Sequence, residues 1–246
     1  MEKDGLSLCE IEDVSLMQGV IPVRYSRNLP SISVEDQQKL FGAKVVVVGC
    51  GGLGGFIIEE LARLGVGSIL AWDYDCFEEH NLNRQILSQT STIGHNKVKI
   101  AAERVNAINP AVRFNGINLK FEQNIAEEII TGWHIVVDAL DNIPSRIALA
   151  SVCRNLNIPL IHGAVDGWYG QISTQFPAEY TVETLYESAK EISKTRTSTL
   201  AFTPAVVASL QCAEVTKVIL GRGNLLRKKV MIVNLLEMEM EILEIN

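Results

Sequence analysis

The sequence predicts an α/β fold: a Rossmann-like doubly wound sheet, parallel in its N-terminal part and antiparallel in its C-terminal part. Three observations carry this expectation. Val45 to Val48 is a short β-branched run that breaks into the glycine cluster GCGGLGG and then opens an amphipathic stretch, Phe56 to Leu64, with Phe56, Glu60 and Leu64 at helical spacing. Strand-like and helix-like stretches then alternate as far as His162. From Gly163 to Phe176 polar and apolar residues alternate with no helix between, so the sheet turns antiparallel there.

Residues 1–30 read as an N-terminal arm. Residues 1–19 have mixed composition and no convincing period, and RYSRN, Arg24 to Asn28, follows. Arg24 and Arg27 stand three apart, a spacing that by itself describes a solvated face. Residues 31–246 read as one domain, entered through a short helix over Val34 to Phe41. In the glycine cluster Gly49, Gly51 and Gly54 match G-x-G-x-x-G. The first glycine permits a sharp turn, the second lets backbone approach a phosphate, and the third lets the helix pack close to the strand. Gly49, Gly51 and Gly52 are therefore candidate nucleotide contacts, with N–H groups at the helix start facing an anion. Ser68 to Trp72 is the next apolar strand, and Asp73 ends it close to the position, roughly 20 residues on, where a ribose-binding carboxylate falls.

Tyr74 to His80 has no sustained period and reads as a loop or a single helical turn; Asn81, Asn83, Arg84 and Gln85 then form a dense polar cluster. Thr92 to Asn109 sorts into polar and apolar faces and is a helix ended by Asn109-Pro110. Lys97 lies in its first turn, where the helix dipole disfavours a cation; this points to an anion nearby, though such lysines also occur by accident. Val112 to Leu119 is a strand, Asn124 to Ile130 a short helix, and His134 to Asp138 a buried-type strand ending in ALDN. Asp138, Asp141 and Asn142 thus sit at the carboxyl edge, where open α/β sheets bind ligands. Capping of the next helix, Pro144 to Asn155, explains Asp141 or Asn142 equally well.

Ile158 to His162 is a further strand, and residues 178–199, rich in Glu, Lys, Ser and Thr, form a crossover segment suited to order on binding. Pro204 starts an apolar helix that runs over Ala205 to Leu220 and is closed by Gly221. Cys153 and Cys212 lie among apolar neighbours and read as core. Lys228 to Leu235 and Glu237 to Ile245 are two final strands. In the last, Met238, Met240 and Ile242 alternate with Glu237, Glu239 and Glu241, giving one apolar and one acidic face.

The composition narrows the function classes. A net charge of −7 argues against a nucleic-acid surface. No uninterrupted apolar run approaches the roughly 18 residues needed to cross a bilayer, and the polar start has no basic n-region. A cytoplasmic protein with no membrane partner is expected. Five scattered cysteines suggest reduced thiols, and with no C-x-x-C pair no zinc is expected. The four histidines carry no functional signal and read as structural.

RYSRN, GCGGLGG, Asp73, NLNRQ, the GxxK of Gly94 to Lys97, ALDN and HGA…GQI occur in this order and spacing. The set resembles the ThiF/MoeB/HesA family of adenylyltransferases, relatives of the ubiquitin-activating enzymes, from Arg24 to about Leu235. The resemblance implies ATP on the glycine loop, its ribose held by Asp73, and Asn81, Arg84 and Lys97 around the phosphates. It further implies that Asp141 holds Mg²⁺, with Asn142 beside it, and that Arg27 reaches the triphosphate of a neighbouring subunit in a homodimer. The implied reaction is attack of a carboxylate on the α-phosphate, giving an acyl-adenylate and pyrophosphate. The implied substrate is the Gly-Gly tail of a ubiquitin-like sulfur-carrier protein, received by the 178–199 crossover. Where relatives place a reactive cysteine this chain reads KTRTSTLAFTP, so the chemistry is expected to stop at the adenylate. A peptide or small-molecule carboxylate is an alternative acceptor. An NAD-dependent oxidoreductase would use the same loop and Asp73 but leave Arg84, Lys97 and Asp141 idle; a non-catalytic nucleotide-binding subunit is a third reading.

Overall fold

The computed structural model describes residues 5–187 and 198–245. Of the 178–199 crossover, residues 188–197 therefore lie outside the described residues. The chain runs α1 (Leu8–Met17), α2 (Val34–Gly42), β1 (Lys44–Val48), α3 (Gly52–Leu64), β2 (Ser68–Trp72), α4 (Lys97–Ile108), β3 (Arg113–Ile117), α5 (Gln123–Ile130), β4 (Ile135–Asp138) and α6 (Ile143–Asn155). It continues with β5 (Leu160–Asp166), β6 (Tyr169–Gln175), α7 (Thr181–Glu187), α8 (Phe202–Leu220), β7 (Lys229–Asn234) and β8 (Glu239–Glu244).

All eight strands form one sheet in the order β3-β2-β1-β4-β5-β6-β7-β8. Pairings from β3 through β5 are parallel, and those from β5 through β8 are antiparallel. The change of direction begins inside β5, which continues through Gly163 to Asp166 before the chain returns along β6. Two apolar layers cover the sheet. One packs α3, α4 and α8 on Val45, Val47, Ile69 and Ile161; the other packs α5, α6 and α7 on Val46, Val48, Val136 and Leu160. Adjacent valines of β1 thus feed opposite cores, which is why the strand has no polar alternation.

Three findings amend the sequence expectations. Residues 1–19, without a readable period, contain α1, started by a capping box in which Ser7 Oγ accepts from the Glu10 N–H and the Glu10 carboxylate accepts from the Ser7 N–H. Leu16 and Cys9 of this helix pack with Phe41 and Ala111. Secondly, α8 is, among the described residues, the one helix long and apolar enough to cross a bilayer by length and composition. Its apolarity is accounted for by packing: Val207, Ala208, Cys212 and Val215 are buried beside α3 and β5. Thirdly, β8 buries neither of its faces. Met240 pairs with the buried Val233, so it shares the face that α8 covers further in, yet it remains 58% exposed.

Candidate functional site

Strand register positions the site. Val48 of β1 pairs with Trp72 of β2 on one side and with Asp138 of β4 on the other, so three carboxyl ends lie level. The chain leaves β1 into α3 on one face of the sheet and leaves β4 into α6 on the opposite face. Diverging connections open a crevice between them, the usual ligand position in doubly wound sheets. A cavity of about 340 Å³ lies there. Its wall carries Gly49, Gly51 and Gly52, the cations Arg84 and Lys97, and the polar residues Asp73, Asp141 and Asn142.

The glycines divide into two kinds. Gly49 has φ +102° and a Cβ there would stand 2.5 Å from the Ala139 carbonyl oxygen, while a Cβ on Gly54 would fall 1.7 Å from the Gly49 oxygen. Backbone packing alone requires both to be glycine. At Gly51 and Gly52 the nearest atoms to such a Cβ are the Gln85 side chain at 3.6 Å and Pro204 at 3.4 Å, which are ordinary contacts. What these two missing side chains leave free is the cavity itself.

Asp73 ties the loop to β2. Its Oδ2 accepts from the Cys50 N–H at 2.7 Å and its Oδ1 from the Asp75 N–H at 2.8 Å. Burial raises its pKa above the usual carboxylate value, opposed by the Cys50 N–H and the charge of Lys97. Each oxygen keeps a lone pair, so the carboxylate can still accept from a ligand hydroxyl.

Lys97 is the first residue of α4 and is buried. The anion that its unfavourable place on the helix dipole points to is Asp75, whose Oδ2 lies 2.9 Å from Nζ. Arg84 Nη1 donates to neutral acceptors, the His80 carbonyl at 3.0 Å and Asn83 Oδ1 at 2.7 Å, so its charge is not spent on a carboxylate by these bonds. Asp141 is exposed, and its Oδ1 accepts from Asn142 Nδ2 at 3.2 Å. Asn142 also caps α6, accepting from the Ser145 N–H at 2.9 Å, so the capping reading applies to it and not to Asp141.

Two expected residues lie elsewhere. Asn81 is buried and its Oδ1 accepts from the Glu78 N–H at 3.0 Å, which closes a 3-10 turn; it is not part of the cavity wall. The cluster it belongs to splits because the chain turns between Asn81 and Arg84, so that Arg84 and Gln85 reach the wall and Asn81 and Asn83 do not. Arg27 is exposed on a 3-10 turn over Val23–Asn28 and is likewise absent from the wall. That turn is anchored by the buried Tyr25, whose hydroxyl bonds Glu12 at 3.0 Å and Asn109 at 2.7 Å.

The wall also holds residues that the sequence reading did not single out. Gln85 is buried, and among the described residues its Oε1 has no hydrogen-bond partner; its place in the NLNRQ cluster was the available signal. Arg146, Lys120 and Phe121 join it, with the Phe121 ring 5.2 Å from that of Trp72. Arg146 could be read only as a polar residue on the core side of α6. Among the described residues no group of three or more His, Cys, Asp or Glu could hold a metal by protein ligands alone.

A doubly wound sheet with a glycine loop, an acid after β2 and cations over the crevice defines a nucleotide-binding domain. This chain belongs to the ThiF family, matched over residues 25–246. It is 34% identical over 224 residues to a SAMP-activating enzyme E1 of Haloferax volcanii, covering 89% of this chain and 83% of that protein. It is 33% identical over 232 residues to a sulfur carrier protein adenylyltransferase of Thermus thermophilus, covering 87% and 83% respectively. In three dimensions it resembles E. coli MccB solved with ATP, with a TM-score of 0.82 and 26% identity over 92% of this chain and 72% of that one.

Proposed function

We propose that this adenylyltransferase activates the C-terminal carboxylate of a ubiquitin-like sulfur-carrier protein, forming an acyl-adenylate and releasing pyrophosphate from ATP. The observation that carries the reading is the meeting, in one cavity wall, of the glycine loop, Asp73, Arg84, Lys97 and Asp141. An oxidoreductase would need the first two and not the last three. The free space over Gly51 and Gly52 suits a phosphate chain, Asp73 suits ribose hydroxyls, and the Trp72–Phe121 pair suits a base.

A C-terminal carboxylate, with a pKa of about 3.5, is already ionised at neutral pH and needs no general base. Two tasks remain for the site: alignment of the attack and neutralisation of the departing pyrophosphate. Arg84 and Lys97 supply fixed positive charge, and Asp75 and the α4 backbone hold Lys97 in place beforehand. Asp141 would hold magnesium, a role that one exposed carboxylate suits because this ion is completed by phosphate oxygens and water. When bound, the metal screens the charge of the phosphates and orients them. Arg27, outside its own cavity and on an anchored turn, is assigned to the triphosphate of a second copy, which makes the working unit a homodimer. The crossover 178–199 is assigned to the carrier tail, and the reaction to the cytoplasm.

Carrier-dependent ATP–pyrophosphate exchange tests this. Arg84→Ala and Asp141→Ala are each expected to lower exchange by about 100-fold or more, with an unchanged circular dichroism spectrum. Normal exchange in both variants would remove the roles assigned here. Exchange stimulated by small carboxylates or peptides and not by any carrier would move the substrate to the alternative class.

A further inference from the structure

Against the cavity wall, which Arg146 joins, lies a buried polar cluster to which the reaction above gives no task. Asp138 ends β4, His162 stands on β5, Arg146 on α6 and Tyr186 on α7, and all four are buried. His162 Nδ1 lies 2.7 Å from Asp138 Oδ2. A carboxylate only accepts, so the ring proton sits on Nδ1 and Nε2 is an acceptor. Burial holds the His162 pKa below the ordinary imidazole value, in keeping with a neutral ring. The Tyr186 hydroxyl, 3.2 Å from Nε2, donates to it. The same hydroxyl accepts from Arg146 Nη1 at 2.7 Å and from Gln171 Nε2 at 2.9 Å.

Gln171 Nε2 also stands 3.2 Å from His162 Nε2, and the other side-chain hydrogen bonds of Asp138 and Arg146 converge on one residue. The Leu140 N–H donates to Asp138 Oδ1 at 2.9 Å, and the Leu140 carbonyl accepts from Arg146 Nε at 3.1 Å and Nη2 at 2.6 Å. Both backbone polar groups of the residue immediately before Asp141 are therefore gripped by cluster side chains. Tyr186 is the member contributed by α7, which belongs to the 178–199 crossover. From this geometry we propose that Tyr186 is a positioning residue: its hydroxyl locks Arg146 and His162 against Leu140 and so fixes Asp141 at the cavity wall. The element assigned to the carrier tail is thereby mechanically joined to the residue assigned to magnesium. The proposal rests on that assignment of Asp141.

Tyr186→Phe keeps the ring edge-on to His162, at 5.6 Å between centroids, and removes only the hydroxyl. ATP affinity of the purified protein is measured by titration across magnesium concentrations and in chelator, together with amide exchange over residues 139–143. In the variant the magnesium concentration for half-maximal ATP affinity is expected to rise about 10-fold, affinity in chelator to stay unchanged, and the Leu140 amide to exchange faster. In the wild type the Leu140 amide is expected to exchange more slowly than that of Asp141, a check that needs no variant. Tyr169→Phe, in an exposed residue of β6 outside both the cavity wall and the crossover, is the control expected to match the wild type in every measurement. A loss of stability in Tyr186→Phe with wild-type magnesium dependence and wild-type loop exchange would overturn the proposal alone. A wild-type protein whose ATP affinity ignores magnesium would overturn the assignment of Asp141, and the proposal with it.

Discussion

The parallel and antiparallel halves of this sheet make opposite use of apolar residues. In β2 and β4 every residue is buried, and in β1 all but Lys44, because helices cover both faces. Strand β8 alternates more regularly than any of these and is exposed along its whole length. Alternation therefore marks which side chains share a face and leaves open whether anything covers that face. In this molecule α8 lies over β5 and β6, and the apolar face of β8 runs on beyond it. The cavity sits in the half where strand ends are held rigidly from both sides, as a phosphate site built from backbone requires.

The sharpest way to break this comparison is within the glycine loop of the rigid half. Gly54→Ala would place a Cβ 1.7 Å from the Gly49 oxygen, between a helix and a strand that have no room to part. A destabilisation above about 4 kcal/mol is expected, seen as loss of the cooperative unfolding transition. Gly51→Ala, whose Cβ meets nothing closer than 3.6 Å, is expected to remain folded and to weaken ATP binding by about 10-fold or more. Equal stability of the two variants would mean that loop and helix shift apart, contrary to the rigidity argued here.

How much could be read from the chain alone follows the same division. Gly49 and Gly54 were legible because backbone geometry permits few residue types there, and Asp73 because a ribose-binding carboxylate falls at a set distance after such a loop. Strands β1, β2 and β4 of the parallel half were legible because double burial forces apolar runs, whereas β3, at the sheet edge, is largely uncovered. Helix α1 escaped notice because only Cys9, Glu12 and Leu16 of its ten residues are buried, leaving Ser7 and Glu10 as the sole local signal. Pairings across the fold were not legible: Lys97 meets Asp75 from 22 residues away, and Arg146 reaches Tyr186 from 40. The split of NLNRQ into a buried capping Asn81 and a wall-forming Arg84 and Gln85 depends on a turn whose phase the composition does not set.

A smaller effect is expected on the outer surface of the helices that cover the rigid half. Glu59 of α3 accepts from Arg63 Nη2 at 2.7 Å and from Arg104 Nε at 2.8 Å and Nη2 at 2.7 Å, joining α3 to α4. Its pKa is lowered from 4.5, chiefly by the Arg104 hydrogen bonds and then by those of Arg63, against the opposing effect of burial. A carboxylate whose folded pKa lies below its unfolded one adds stability above the unfolded value and loses it as pH falls through the folded value. Both arginines are about half exposed, so solvent screens the pair and Glu59→Gln is expected to cost about 1 kcal/mol at pH 7. In denaturant unfolding that difference is expected to shrink steadily as the pH falls below 4.5; a difference that does not change with pH would show it to arise from packing instead.

The smallest effect belongs to the uncovered strand. Met240 points to the same face as Val233, its partner across the ladder, but Val233 is fully buried while Met240 is not. Replacing Met240 by Thr gives up little burial and introduces a residue that favours strands, so stability is expected to stay within about 0.5 kcal/mol of the wild type. Val233→Thr places a hydroxyl in the apolar layer and is expected to cost about 1–3 kcal/mol. The paired measurement isolates the covering layer from strand propensity and register, since the two positions are direct neighbours on one face. If Met240→Thr cost as much as Val233→Thr, the apolar face of β8 would have to be buried in solution by something beyond this chain, and that cost would fall on dilution if the covering partner were a second copy.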